Sequence, residues 1–135
     1  MTTLSLDLAQ ELQSVCKEKN IEMPESYFYW WKDCQEAHKG NPPVFEISHE
    51  QPDHGWQPIA PAYTLDELLS WLVSLQKECV KKDDSNFVDY RFEICYDFKA
   101  NDFVMCDYIC KDIHDPNPCD ACGKMLIWLI KEGLI

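Results

Sequence analysis

The C-terminal segment constrains the fold more than any other part of this chain. Asn117 is a good helix N-cap, Pro118 suits the first helical position, and Asp120 favours the first turn. Residues 121–130 are then almost wholly apolar, and Gly133 can end the helix. A helix that is apolar on nearly every side has to be surrounded by other elements. The sequence therefore predicts a central helix that is buried on most sides.

Two further helices are predicted from apolar residues at helical spacing. The first runs from Ser5 to Asn20, and Asn20 can adopt the left-handed conformation that stops a helix. Its apolar stripe consists of Leu4, Leu8, Leu12, Val15 and Cys16. The second begins at Thr64 and Glu67, which form a capping box, and ends near residues 81–86.

Four strands complete the predicted fold. Residues 88–98 alternate between apolar even-numbered and mostly polar odd-numbered positions, which is typical of a strand with one buried face. A turn at residues 99–102 leads to a return strand from Phe103 to Cys110. The aromatic run at residues 27–31 and the segment 44–48 predict the two earlier strands. The expected class is α+β, in the order helix, two strands, helix, two strands, helix, with a mostly antiparallel sheet packed against the helices.

The segment between residues 50 and 62 carries three prolines and one glycine, so it is predicted to be an irregular loop. His49, Asp53 and His54 lie in or beside it, and no metal-binding or catalytic role is assigned to them. The sequence leaves open whether this loop and the aromatic run at residues 27–31 belong to the core or to a binding surface.

Length and composition are those of one domain, residues 1–135. The first twenty residues have neither a basic start nor an unbroken apolar stretch, which argues against a signal peptide. No stretch approaches the roughly 18 apolar residues of a membrane-spanning helix. The expected location is the cytoplasm of a bacterial cell, where thiols stay reduced and the eight cysteines would not form disulfides.

Charge is the strongest compositional feature. Asp and Glu number 24 against 12 Lys and Arg, and the formal net charge is −12. Phosphate groups repel such a chain, so direct binding to nucleic acid or to anionic membranes is disfavoured. A basic protein surface would attract it. A charge that only maintains solubility is the alternative.

One segment has the composition of a metal site. Cys106, Cys110, His114, Cys119 and Cys122 lie within seventeen residues. In a strand, however, the first two cysteines would stand about 13 Å apart, too far to share one zinc ion. The last cysteine continues the apolar stripe of the C-terminal helix. Thiols without a metal are therefore expected, together with no cofactor, and a zinc-stabilised accessory module remains the alternative.

Motifs of catalysis are absent from the sequence. There is no G-x-S-x-G elbow, P-loop, G-x-G-x-x-G or H-E-x-x-H segment, and the chain has only four glycines. Carboxylates are so numerous that choosing a pair as acid and base carries no information. The sequence predicts a protein that is not an enzyme and has no catalytic residues.

Three segments carry a resemblance to a known group of proteins. They are PESYFYWWKD at residues 24–33, PAYTLDELLSWL at residues 61–72 and NPCDACGKMLIWLIKEGLI at residues 117–135. Together they resemble a family of small uncharacterised proteins encoded by bacteriophages and prophages. The resemblance implies no activity and no site residues. It does imply that small residues such as alanine can replace Cys119 and Cys122, which weighs against zinc.

Small acidic phage proteins often occupy host machinery, as inhibitors of CRISPR and restriction systems do, and this likeness shapes the functional hypothesis. Between Asp83 and Asp120 the chain has ten Asp and Glu, against three basic residues. The leading hypothesis is a non-enzymatic protein that binds a basic surface of a host or phage protein. The residues expected to form the binding face are Asp89, Glu93, Asp97, Asp102 and Asp107. A self-associating accessory protein is a further alternative.

Overall fold

The computed structural model describes residues 2–82, 93–106 and 112–134. The helices are α1 (Leu6–Glu18), α2 (Leu65–Lys82) and α3 (Pro118–Lys131). The strands are β1 (Tyr29–Asp33), β2 (Phe45–Ser48), β3 (Trp56–Pro61), β4 (Glu93–Asp97), β5 (Asp102–Cys106) and β6 (Asp112–Asp115). A 3-10 turn, Glu36–His38, lies between β1 and β2. The predicted α+β class and element order are confirmed, and each predicted pair of strands is extended by a third strand.

The first sheet has the antiparallel order β2-β1-β3. Its third strand occupies the end of the segment predicted to be an irregular loop, so that prediction is wrong from Trp56 onward. Pro58 and Pro61 lack the amide hydrogen that a central strand needs to pair with both of its neighbours. They can belong to β3 because this strand lies at the edge of the described sheet and pairs on one side only. The register also shifts between Trp30 and Trp31 on the neighbouring strand.

The second sheet has the order β4-β5-β6, again antiparallel. The predicted hairpin is present, with Asn101 in the left-handed region at φ 55° in its turn. The alternation predicted Phe98 on the buried face, which is wrong: β4 ends at Asp97 and Phe98 is 88% exposed in the turn. The remaining parts of the two predicted strands, residues 88–92 and 107–110, lie outside the described residues.

Helix α3 is the centre of the molecule, as predicted. It packs against α1, α2, β5 and β6. The side chain of Asn117 caps it by accepting hydrogen bonds from the backbone amides of Cys119 at 2.9 Å and Asp120 at 3.4 Å. Gly133 follows the helix at φ 68°, the conformation expected of a glycine terminator. The buried residues of α3 are Cys119, Ala121, Cys122, Gly123, Met125, Leu126, Ile127, Leu129 and Ile130.

Leu4 and Ser5, just before α1, form hydrogen bonds to residues of β1 and α3 and to Tyr63, which precedes α2. The amide of Leu4 donates to Tyr63 O at 2.8 Å, and the indole of Trp30 donates to Leu4 O at 3.0 Å. One residue later, the amide of Ser5 donates to the Asp120 carboxylate of α3 at 2.8 Å. Leu4 is fully buried and joins the predicted stripe of α1 in one core with the other helices.

The predicted capping box of α2 is confirmed. The Thr64 amide donates to Glu67 Oε1 at 2.9 Å, and the Glu67 amide donates to Thr64 Oγ1 at 3.4 Å. In the aromatic run, Tyr27 is 58% exposed, whereas Trp30 and Trp31 are half-buried and hydrogen-bonded through their indole groups. Within residues 2–82, 93–106 and 112–134, no helix has the length and apolarity needed to cross a membrane.

Candidate functional site

The register of the second sheet determines which side chains share a face. Ile94, Met105 and Ile113 lie opposite one another on β4, β5 and β6, and this row packs into the core. Side chains of neighbouring positions along a strand point to the other side. The side turned away from the core therefore carries Cys95 and the buried Val104 at its centre, and around them a set of polar side chains that we name the acidic face. It consists of Glu93, Asp97, Asp102, Asp112 and His114.

Three of the five predicted binding residues are thus brought together: Glu93, Asp97 and Asp102. The other two, Asp89 and Asp107, lie outside the described residues. Sequence reasoning missed the contribution of β6, because this four-residue strand offers only one apolar position, Ile113, between polar neighbours. A period of two cannot be recognised from so short a segment.

Two carboxylates of the acidic face have local partners. Asp97 Oδ1 accepts hydrogen bonds from the backbone amides of Lys99 at 2.9 Å and Ala100 at 3.2 Å. Asp102 Oδ1 lies 3.1 Å from His114 Nδ1. Asp97 and Asp102 stand directly opposite each other across the hairpin, a position in which like charges repel. The amides and the imidazole offset that repulsion.

Glu93 and Asp112 lie at the end of the acidic face that is farthest from the β4–β5 turn. Both are exposed, and they flank β5 at the same level of the sheet, with Cys106 as their shared backbone neighbour. Two strand spacings separate their backbones by about 10 Å. Carboxylates at this spacing can contact two different cationic side chains of a partner protein.

An exposed aromatic cluster lies at the turn of the same hairpin, and we name it the aromatic tip. It consists of Tyr96, Phe98 and Phe103. The Tyr96 ring meets Phe98 edge-on with centroids 5.0 Å apart, and it meets Phe103 in the same way at 5.2 Å. Tyr96 is 39% exposed and Phe98 is 88% exposed. Sequence periodicity had placed Tyr96 and Phe98 in the core.

Of the residues that suggested zinc, the fold separates His114 from Cys119 and Cys122. Cys119 and Cys122 are buried in α3, and burial raises the pKa of their thiols to about 11 and about 12. Cys119 Sγ donates to Thr2 O at 3.4 Å. His114 lies on the acidic face, on the other side of the sheet from α3. Cys110 is outside the described residues, among which no three His, Cys, Asp or Glu side chains are arranged to hold a metal ion.

A concave surface lies in the connection between β1 and β2, with a volume of about 570 Å³. Its wall includes Asp33, His38 and the exposed Cys34. The Gln35 amide donates to Asp33 Oδ1 at 3.0 Å, and His38 Nδ1 lies 2.6 Å from Asp33 Oδ2. These two contacts, the amide first, hold the pKa of Asp33 below its ordinary value. The carboxylate thereby fixes the shape of the connection and the orientation of the imidazole.

Comparison with known proteins identifies no relative. No protein-family model, no curated protein sequence and no solved structure matches the chain. The functional interpretation therefore depends on the chemistry of the acidic face.

Proposed function

We propose that this chain is a non-enzymatic interaction protein that binds a basic surface of another protein through the acidic face. The observation that carries the proposal is the register of β4, β5 and β6, which collects Glu93, Asp97, Asp102 and Asp112 on one side of a sheet. The other side of the sheet packs into the core. The acidic face is therefore the side that a partner protein can contact.

The resemblance to phage and prophage proteins supplies the biological setting of the proposal. A phage protein acting in the cytoplasm of a bacterial host meets basic grooves in proteins that handle nucleic acid. Such grooves are built to neutralise phosphates with Lys and Arg. We propose that the partner belongs to a nucleic-acid-handling or defence system, of the CRISPR or restriction type, and that the chain inhibits it by occupying such a groove.

Electrostatics supports binding to a cationic partner and disfavours direct binding to nucleic acid. The whole chain carries a formal charge of −12, so a basic surface is attracted before contact. At contact, one exposed ion pair contributes about 1 kcal/mol or less, so affinity has to come from several pairs acting together. Salt screens such pairs over about 10 Å at 0.1 M ionic strength. Binding should accordingly weaken as salt is added.

Affinity capture with a matched pair of charge variants tests this function. The full chain is immobilised, host-cell lysate is applied, and retained proteins are identified by mass spectrometry at about 50 mM and about 300 mM salt. The test variant is Glu93→Gln with Asp112→Asn. The control is Glu18→Gln with Glu22→Gln, which removes the same charge from exposed positions at the end of α1 and just beyond it.

The proposal predicts that basic proteins are retained by the wild type and by the control, that the acidic-face variant loses them, and that added salt releases them. Equal retention by both variants, or retention that does not respond to salt, would contradict it.

A further inference from the structure

We propose that the free edge of β2 is a docking site for an extended segment of a partner protein, in which a lysine or arginine stands between two apolar residues. Such a segment would pair with β2 and extend the first sheet, which is an established mode of peptide recognition. The site lies in the other sheet from the acidic face, so the inference does not depend on the function proposed above.

The direction of the backbone groups shows which residues of β2 can pair with a further strand. The amide of Asp33 donates to Val44 O at 3.0 Å, so the backbone groups of Val44 face β1. In antiparallel pairs, residues that face the neighbouring strand alternate with residues that face away. Glu46 therefore also faces β1, whereas the amide and carbonyl groups of Phe45 and Ile47 point to the open side. In the described sheet no strand lies beyond β2, so these groups are available to a partner.

The opposite edge of the same sheet, β3, is protected against such pairing. The Ala62 amide donates to Phe28 O at 2.9 Å, so the even-numbered residues of β1 face β3. Pro58 and Pro61 stand opposite odd-numbered residues of β1, and their backbone groups therefore point away from β1. Proline has no amide hydrogen, so at these outward positions β3 cannot donate to another strand. Strand β2, Phe45–Ser48, contains no proline.

Side chains along β2 determine what the incoming strand has to carry. Phe45 and Ile47 lie on one side of the sheet, where Phe45 is 40% exposed, and the exposed Glu46 lies on the other side. Lys32 stands directly opposite Phe45, so a cation of the partner is repelled on that side. Among the residues that the structure describes, no cation forms an ion pair with Glu46. The fitting segment therefore has apolar residues opposite Phe45 and Ile47 and a basic residue between them.

A second copy of this chain fits the edge less well. Two β2 strands paired antiparallel about their centres would place Glu46 opposite its own copy, and like charges directly opposite each other are destabilising. The formal charge of −12 on each chain adds repulsion before contact. An acidic segment of another protein would meet the same two obstacles.

Binding of synthetic peptides to the full chain tests the inference. The probe is a fluorescent peptide of about seven residues, with lysine at its centre, valine on either side and threonine elsewhere. Fluorescence anisotropy should show saturable binding, and the same peptide with a central glutamate should bind at least about fivefold more weakly. The variant Glu46→Lys should reverse this preference. The control Glu18→Lys, at an exposed position of α1, should leave it unchanged.

Methylation of single peptide nitrogens tests the strand geometry without altering the protein. In the antiparallel alignment the valine amides face β2, and the lysine amide faces away from it. A methyl group on either valine nitrogen removes a hydrogen-bond donor and should weaken binding by about tenfold or more. A methyl group on the lysine nitrogen should weaken binding by less than about threefold.

The combined results decide the inference. A preference reversed by Glu46→Lys, together with the stronger effect of methyl groups on valine, would support it. Equal binding of the lysine and glutamate peptides, equal effects of the methyl groups, or no binding at all would overturn it. In the last case, sedimentation of the chain as a dimer would identify a second copy as the occupant of the edge. The acidic face is tested by other variants, Glu93→Gln with Asp112→Asn, so the proposed function can stand or fall separately.

Discussion

Leu4 packs so closely against α3 that a β-carbon on Gly123 would lie 2.4 Å from Leu4 Cδ1. Real β-carbons do not approach other atoms so closely, so a side chain at this position would force Leu4 to shift. Such a shift is resisted because the Leu4 side chain is fully buried and its backbone is hydrogen-bonded to Tyr63 and Trp30. The contact therefore sets the distance between the N-terminal segment and the central helix.

Gly123→Ala should destabilise the protein although alanine is the better helix former. The propensity gain is about 1 kcal/mol, whereas overpacking a closed core costs about 1–3 kcal/mol. We expect a net loss of about 1 kcal/mol in the free energy of unfolding, measured by denaturant titration. In a Leu4→Ala background the added methyl group has room, so there the same substitution should be neutral or stabilising. A loss of equal size in both backgrounds would show that the Leu4 contact is not its cause.

Asn117→Ala should remove the cap of α3 and lower stability by about 1–2 kcal/mol. The Asn117 side chain accepts from the amides of Cys119 and Asp120, and its amide group donates to Thr3 O at 3.0 Å. Asn117→Asp keeps the acceptor but loses the donor to Thr3. It should therefore lie between the wild type and the alanine variant in thermal unfolding, and a value equal to that of alanine would contradict a capping role.

Thiol reactivity should follow burial among the cysteines whose side chains the structure describes. Burial raises the pKa of Cys16 to about 11, and those of Cys119 and Cys122 to about 11 and about 12, so their reactive thiolate forms are scarce at neutral pH. Cys34 and Cys95 are exposed. Mild alkylation of the native protein, followed by peptide mass spectrometry, should modify Cys34 and Cys95 first. In denaturant all five should react, and early modification of Cys122 in the native state would contradict its burial.

The Asp33 carboxylate should stabilise the protein in a pH-dependent way. Its pKa in the folded protein is lowered from the ordinary value of 3.8, chiefly by the Gln35 amide and then by His38. As pH falls, the unfolded chain therefore binds this proton first. The contribution to stability is complete above the unfolded pKa and is lost as pH falls through the folded pKa.

Comparison of the wild type with Asp33→Asn checks this expectation. Their difference in unfolding free energy should be present at about pH 5 and above, and it should shrink as pH falls below about 4. A difference that stays constant down to about pH 2 would show that the lowered pKa does not contribute.

The parts of the fold that the sequence predicted correctly are those encoded by local patterns. The cap at Asn117, the capping box at Thr64 and Glu67, and the stop at Asn20 all depend on neighbours within four residues. The apolar character of α3 predicted its central position, because a helix without a polar side cannot face water.

Errors arose where pairing between distant segments decides the structure. Proline composition predicted a loop where β3 forms, since an edge position that tolerates Pro58 exists only once β1 is in place. Period-two alternation predicted a buried Phe98 because it could not show that the strand ends one residue earlier. A turn stabilised by Asp97 places that ring in water instead.

The same division applies to the candidate site. Sequence alone determined that the chain is acidic and that Glu93, Asp97 and Asp102 lie on or beside one hairpin. Only the tertiary structure added Asp112 and His114 to the same face, separated His114 from Cys119 and Cys122, and placed Leu4 against Gly123. The physical reason is that charge and helical periodicity are local properties of a chain. The register of strands and the close approach of helices are set by contacts between residues far apart in sequence.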